Sequence, residues 1–147
     1  MSLLAAGASL ASATGLAQQS NVADLYSKAD ATALAEYVRK GEVSALELLD
    51  EAIRRTELLN PVINAVSQKH YDLARDAIGA GLPQGPFTGV PFLLKDLKVS
   101  LAGTITSNGS RLHGKDLAKK TSLLVQRYQQ AGLVIYARPI RRSTARR

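Results

Sequence analysis

The sequence predicts an α/β fold. Three observations carry that expectation. Stretches with helical spacing of apolar residues alternate with short apolar runs along the chain. Capping residues and glycines bracket the helical stretches, as helix starts and stops require. Apolar residues make up 46% and charged residues 21% of the 147 residues, a composition suited to one soluble domain.

The elements follow in order. Residues 1–20 are small, apolar and uncharged, with no Lys or Arg before Lys28. They read as a signal-like segment lacking its charged start, or as a flexible Ala/Ser/Gly arm; many small side chains make a membrane span unfavourable. Asp30 caps a helix reaching residues 38–40, with Leu34, Tyr37 and Val38 as its apolar face and Gly41 beyond its end. Ser44 and Glu47 have capping-box spacing. They open a helix with Leu46, Leu49, Ile53 and Leu58 near one stripe, stopped at Asn60–Pro61. Residues 62–66, "VINAV", read as a buried strand, and "KHYDLARDAIGAG" as a helix ending in glycines. "LPQGPFTG" is turn-rich; residues 90–99 have the apolar run of a buried strand. Asn108–Gly109 signals a turn. Residues 116–131 read as a helix with Leu117, Leu123, Leu124 and Tyr128 inward, and "LVIYA" as another buried strand.

Charge and residue usage narrow the function classes. The net charge is +7, but five arginines lie at or after Arg138; before it, 14 Lys or Arg face 12 Asp or Glu, a net of 14 − 12 = +2. The basic excess is local rather than a property of the body. The absence of cysteine excludes disulfides, thiolate metal sites and a Cys nucleophile. His70 and His113 are far apart with no ligand-spaced partner, which makes them surface or loop histidines and leaves no metal motif.

One stretch carries chemistry. Lys95 follows the apolar run Val90–Leu94 and precedes Asp96. It is either a strand end reaching solvent with Asp96 as countercharge, or a desolvated lysine able to act as a general base. Four blocks in order, "ATALAEYVRKGEVSALELLDEAIRRTELLNPVINAV", "GPFTGVPFLLKDL", "SNGSRL" and "LLVQRYQQAGLVI", resemble the N-terminal part of the amidase signature family. The Gly-Val-Pro-Phe-x-x-Lys-Asp block is the most specific. The resemblance implies the family's α/β/α fold, a mixed sheet flanked by helices, here truncated. It implies hydrolysis of amide C–N bonds of a small-molecule substrate by a Ser, cis-Ser, Lys triad without a cofactor. Lys95 matches the triad lysine. The two serines and the oxyanion-hole loop of the family lie further along the chain than anything in these 147 residues. "SNGS" at 107–110 follows the lysine too closely and reads as a turn. An N-terminal fragment of an amidase domain, inactive as written, is the resulting expectation.

The last residues, "YARPIRRSTARR", invite a second reading. The resembled family continues its strand with text like Gly-Lys-Thr-Asn-Thr-Pro-Glu-Tyr-Gly. With suitable synonymous codons, deleting one G after the Tyr136 codon turns that text into Tyr-Ala-Arg-Pro-Ile-Arg-Arg-Ser-Thr, which is Tyr136 to Thr144. The expected organisation is a signal-like or flexible arm at 1–20, an incomplete amidase domain at 21–137 and an out-of-frame basic tail at 138–147. The chain alone is expected to be poorly soluble or partly disordered, with "LVIYA" a candidate open edge. The alternative is a small basic protein that binds nucleic acid or an anionic surface through the tail; the absence of interleaved aromatics and of a nucleic-acid motif argues against it. Location is exported or periplasmic if the N-terminus derives from a signal, cytoplasmic otherwise. The sequence leaves oligomeric state open.

Overall fold

The computed structural model describes residues 21–108 and 117–140. The arm at 1–20, His113, Ser110 and the tail beyond Ile140 lie outside the described residues. Residues 21–28 form helix α1. α2 spans Ala31–Lys40 and α3 Ala45–Ile63. β1 (Val66–Lys69), α4 (Tyr71–Gly79), β2 (Pro91–Leu93), α5 (Leu123–Gln130) and β3 (Val134–Pro139) follow.

The caps expected from sequence form. The Asp30 side chain accepts from Ala33 N, and Gly41 ends α2 in the left-handed region at φ 73°. Ser44 Oγ accepts from Glu47 N at 3.1 Å, and Glu47 Oε2 accepts from Ser44 N at 2.8 Å. These reciprocal bonds satisfy donors that helix starts otherwise leave unpaired.

The stop of α3 falls later than expected. Pro61 sits inside the last turn, and the helix runs on to Ile63. Two asparagines end it. Asn64 takes the left-handed conformation at φ 46°. The Asn60 side chain donates to Val66 O and accepts from Val66 N, turning the chain into β1. The expected strand over 62–66 is therefore a helix end with exposed Val62 and Ile63. Within α3, Leu49 is buried, whereas Leu46 and Leu58 are exposed; Leu48 and Ala52 take the inward places instead.

The three strands form a mixed sheet in the order β1-β3-β2. β3 runs antiparallel to β1 and parallel to β2. "LVIYA" is thus the central strand, not an open edge. Val134 and Tyr136 pack with Leu49 and Ala52 of α3 and Ala74 of α4. Ile135 packs with Leu94, Leu101 and Val125 of α5. Helices on both faces explain why β3 reads as a continuous apolar run rather than an alternating one. A third cluster joins Val22, Leu34, Val43, Leu48 and Val90.

A loop-to-turn contact sets the β2–β3 register. Gly132 holds φ 88°, and an added Cβ would lie 2.4 Å from Thr88 Cα. That closeness lets Gly89 N donate to Gly132 O and Phe87 N to Ala131 O, both at 2.9 Å. Val134 N then bonds Val90 O, and the strands continue in parallel.

The helix expected over 116–131 is shorter, Leu123–Gln130. Backbone groups before it are engaged elsewhere. Gly103 N donates to Ala118 O, Ala118 N to Thr104 O, and Ser122 N to Ser100 O. Val125 and Tyr128 pack inward, while Leu117, Leu123 and Leu124 are exposed. The expected strand over 90–99 likewise ends at Leu93, because the chain bends from Asp96.

Candidate active-site segment

β2 delivers Lys95 to its C-terminal end, the side of a parallel pair where ligand-binding groups gather. Leu94 N donates to Ala137 O at 3.0 Å, so the backbone is held to β3 up to the residue before the lysine. Leu97 N then donates to Lys95 O at 2.9 Å, a tight turn just after the strand. The Lys95 side chain is exposed and has no ion-pair or hydrogen-bond partner among the described residues.

Asp96 does not serve as the countercharge of Lys95. It is buried, 1% exposed, and turned inward. Its carboxylate accepts from Ser107 N at 2.9 Å and from Ser107 Oγ. Arg138 Nη1 lies 3.7 Å from Asp96 Oδ1. Arg138 is itself fully buried, donating from Nη1 to Val99 O and from Nη2 to Thr104 Oγ1, each at 3.2 Å. Its Nε is buried without a hydrogen-bond partner. Burial pulls the guanidinium below its usual pKa, and the Asp96 carboxylate pulls it back up. A buried arginine facing a carboxylate and two oxygen acceptors stays cationic.

This network encloses the segment between Lys95 and Asn108. Lys98, at φ 53°, donates its N–H to Asn108 Oδ1 at 2.7 Å, and Asn108 is left-handed at φ 52°. Asn108 is the first residue of the expected Asn108–Gly109 turn, and Gly109 lies outside the described residues. Ser107 faces the Asp96 carboxylate, which sequence reasoning missed; only a turn was legible there. Arg138 and Pro139, the first residues of the expected foreign tail, lie in β3 opposite Gln68 and Val66.

His70 is less exposed than a surface histidine. It precedes α4, and its N–H donates to Tyr136 O at 2.8 Å. Nε2 is buried without a hydrogen-bond partner. Burial and then the Arg138 charge hold its pKa below the usual histidine value. Among the described residues no group of three or more His, Asp or Glu could hold a metal ion, and no helix is long and apolar enough to cross a membrane.

Comparison with known proteins places this geometry. The family model described as Amidase matches residues 47–139, more than half of the chain, from the first turn of α3 to the end of β3. The 6-aminohexanoate-cyclic-dimer hydrolases of Pseudomonas sp. (strain NK87) and Paenarthrobacter ureafaciens are each 44% identical over 110 residues, covering 72% of this chain and 22% of theirs. A lipoamidase of Enterococcus faecalis is 38% identical over 111 residues, 75% of this chain and 15% of its own. The structure of 6-aminohexanoate cyclic dimer hydrolase complexed with substrate superposes with a TM-score of 0.70 at 39% identity, over 76% of this chain and 23% of that one. The chain thus spans about a fifth of the length of these hydrolases. The helices packed on both faces of a mixed sheet, the lysine at the end of β2 and the family match over the same residues lead to one assignment: the chain belongs to the amidase family, the amidase-signature hydrolases.

Proposed function

We propose that this chain is the lysine-bearing, N-terminal portion of a hydrolase of small-molecule amides, with Lys95 as general base. The observation that carries the reading is the exposed Lys95 side chain, without a partner among the described residues, at the C-terminal end of β2 on a backbone fixed on both sides. In this chemistry the lysine amine accepts a proton relayed by the cis-serine from the nucleophilic serine. The serine oxygen attacks the amide carbonyl, and backbone N–H groups stabilise the oxyanion. The proton goes to the leaving amine, and water releases the acyl group. The described residues leave Lys95 in solvent, so the walls that desolvate it belong to the part of an amidase domain beyond this match.

The two serines are proposed to lie beyond the 147 residues, in the reading frame that the tail interrupts, and the chain as written is proposed to be inactive. Position 138 supports the frame reading physically. Buried Asp96 requires a cation opposite it, and Ala137–Arg138 stands where the restored text has Gly-Lys: a small residue followed by a cation in either frame. Strand hydrogen bonds use the backbone and are indifferent to the change. The named substrate of the similar hydrolases, a cyclic dimer of 6-aminohexanoate, is the first amide to assay.

The nucleotide sequence past codon 136, read in the alternative frame, should open into a Gly/Ser-rich loop; a frame closed by early stops ends the frameshift idea. The frame-restored enzyme should hydrolyse amides, and residues 1–147 should not. Lys95→Ala in the restored enzyme is expected to lower kcat by about a thousandfold or more, with circular dichroism checking that the variant folds like its parent. Turnover near the parental rate in that variant would remove Lys95 from the mechanism.

A further inference from the structure

The apolar residues that the fold leaves in solvent are not scattered evenly. Leu58, Leu59, Val62 and Ile63 occupy the last turns of α3 at helical spacing, so 58 with 62 and 59 with 63 stack along one stripe. Val62 is 85% exposed and Leu58 66%. Ile140, also exposed, is tied beside that helix end, since its N–H donates to Ala65 O at 2.7 Å. The stripe therefore sits where β3 ends and where the match to the Amidase family model ends too. Among the described residues β1 and β2 are the outer strands of the sheet, each with one edge unpaired. A helix end this apolar, beside open strand edges, is a contact surface rather than a solvated face. The hydrolases that this chain resembles carry more than three quarters of their length outside the match.

We infer that the Leu58–Leu59–Val62–Ile63 stripe with Ile140 is the seam on which the complementary part of an amidase domain docks, and that the 147-residue chain binds such a part when it is supplied as a separate polypeptide. The proposal rests on family membership and not on the role of Lys95. The occupant is a folded α/β segment that brings apolar side chains to the stripe and a strand to a free edge. The contact needs no charge, because the stripe itself carries none.

The test uses the 147-residue chain and the portion of the Paenarthrobacter ureafaciens hydrolase that follows the matched stretch. The two are co-expressed, with the hydrolase's own N-terminal piece in a parallel pairing. Complex formation is read by light scattering after gel filtration, and activity by hydrolysis of 6-aminohexanoate cyclic dimer. A one-to-one complex is expected, weakened at least about tenfold by Val62→Asp. Val62 is exposed, so that variant leaves the chain's own fold unchanged, which circular dichroism checks. A complex that forms without turnover supports the seam while counting against Lys95 as the base. Three results overturn the seam: no complex where the hydrolase's own piece forms one, a complex indifferent to Val62→Asp, or self-association of the chain that Val62→Asp abolishes, which makes a second copy the occupant.

Discussion

At the scale of residues, the adjacent pair Lys95 and Asp96 divide two tasks. Lys95 is offered outward, and Asp96 is spent inward on Arg138 and Ser107. Removing one member of a buried ion pair leaves an uncompensated charge, a loss of about 3–5 kcal/mol. Arg138→Met is expected to cost that much, enough to abolish cooperative structure in a chain of marginal stability. Amide dispersion in a proton–nitrogen NMR spectrum checks it; Asp96→Leu combined with Arg138→Met should recover much of the dispersion. A spectrum unchanged by Arg138→Met alone would contradict the burial. His70 gives a pH signature. Its folded pKa is depressed by burial and by Arg138, so its contribution to stability is present above the usual histidine pKa and fades as pH falls below it. The charge that acts on it comes from Arg138 of β3 and opposes protonation, in the same direction as burial. Stability should decline as pH falls below about 6.5, and His70→Gln should flatten that decline, as followed by urea melts at stepped pH.

At the scale of elements, local chemistry and tertiary competition separate cleanly. The α2 and α3 starts were legible because a cap is an interaction across three residues, as Asp30–Ala33 and Ser44–Glu47 show. Ser44→Ala should cost about 1 kcal/mol, visible as loss of helical signal on heating, and Ser44→Asp should restore most of it. The first half of the helix expected over 116–131 failed for the opposite reason. Ala118 and Ser122 give their backbone bonds to residues 100–104, a partner that no local periodicity reveals. Pro61 misled in the same way: its missing N–H falls in the last turn, and the chain's true stop is written in the asparagines on either side. Gly132 sets a strict demand. A Cβ there meets Thr88 backbone and strains a left-handed φ. Gly132→Ala is expected to cost about 3 kcal/mol or more and to release the loop at residues 83–89, which limited proteolysis would detect.

At the scale of the whole molecule, the strand that the sequence marks as an exposed edge is the middle of the sheet. β3 is sheltered by β1 and β2 and by helices on both faces, so the surface left open moves to the outer strands and the end of α3. Aggregation of the isolated chain, where it occurs, should therefore respond to charge placed at Val62 or Leu59. Charge placed in β3 should instead unfold the chain. Comparing Val62→Asp with Ile135→Asp by soluble yield and circular dichroism separates the two. The arginine-rich end also changes character at this scale: Arg138 is core, with no surface to offer a phosphate.

The sequence by itself determined the α/β class, the helix caps, the family resemblance and the position of Lys95 at a strand exit. Each of these is written in contacts a few residues long or in a contiguous motif. Only the tertiary structure decided the strand order, the length of α5, the pairing of Asp96 with Arg138 and Ser107, and the place of the unpartnered stripe. Those depend on which distant backbone groups and charges meet. In a packed interior a buried carboxylate takes the cation that folding brings to it, not the lysine that precedes it in the chain.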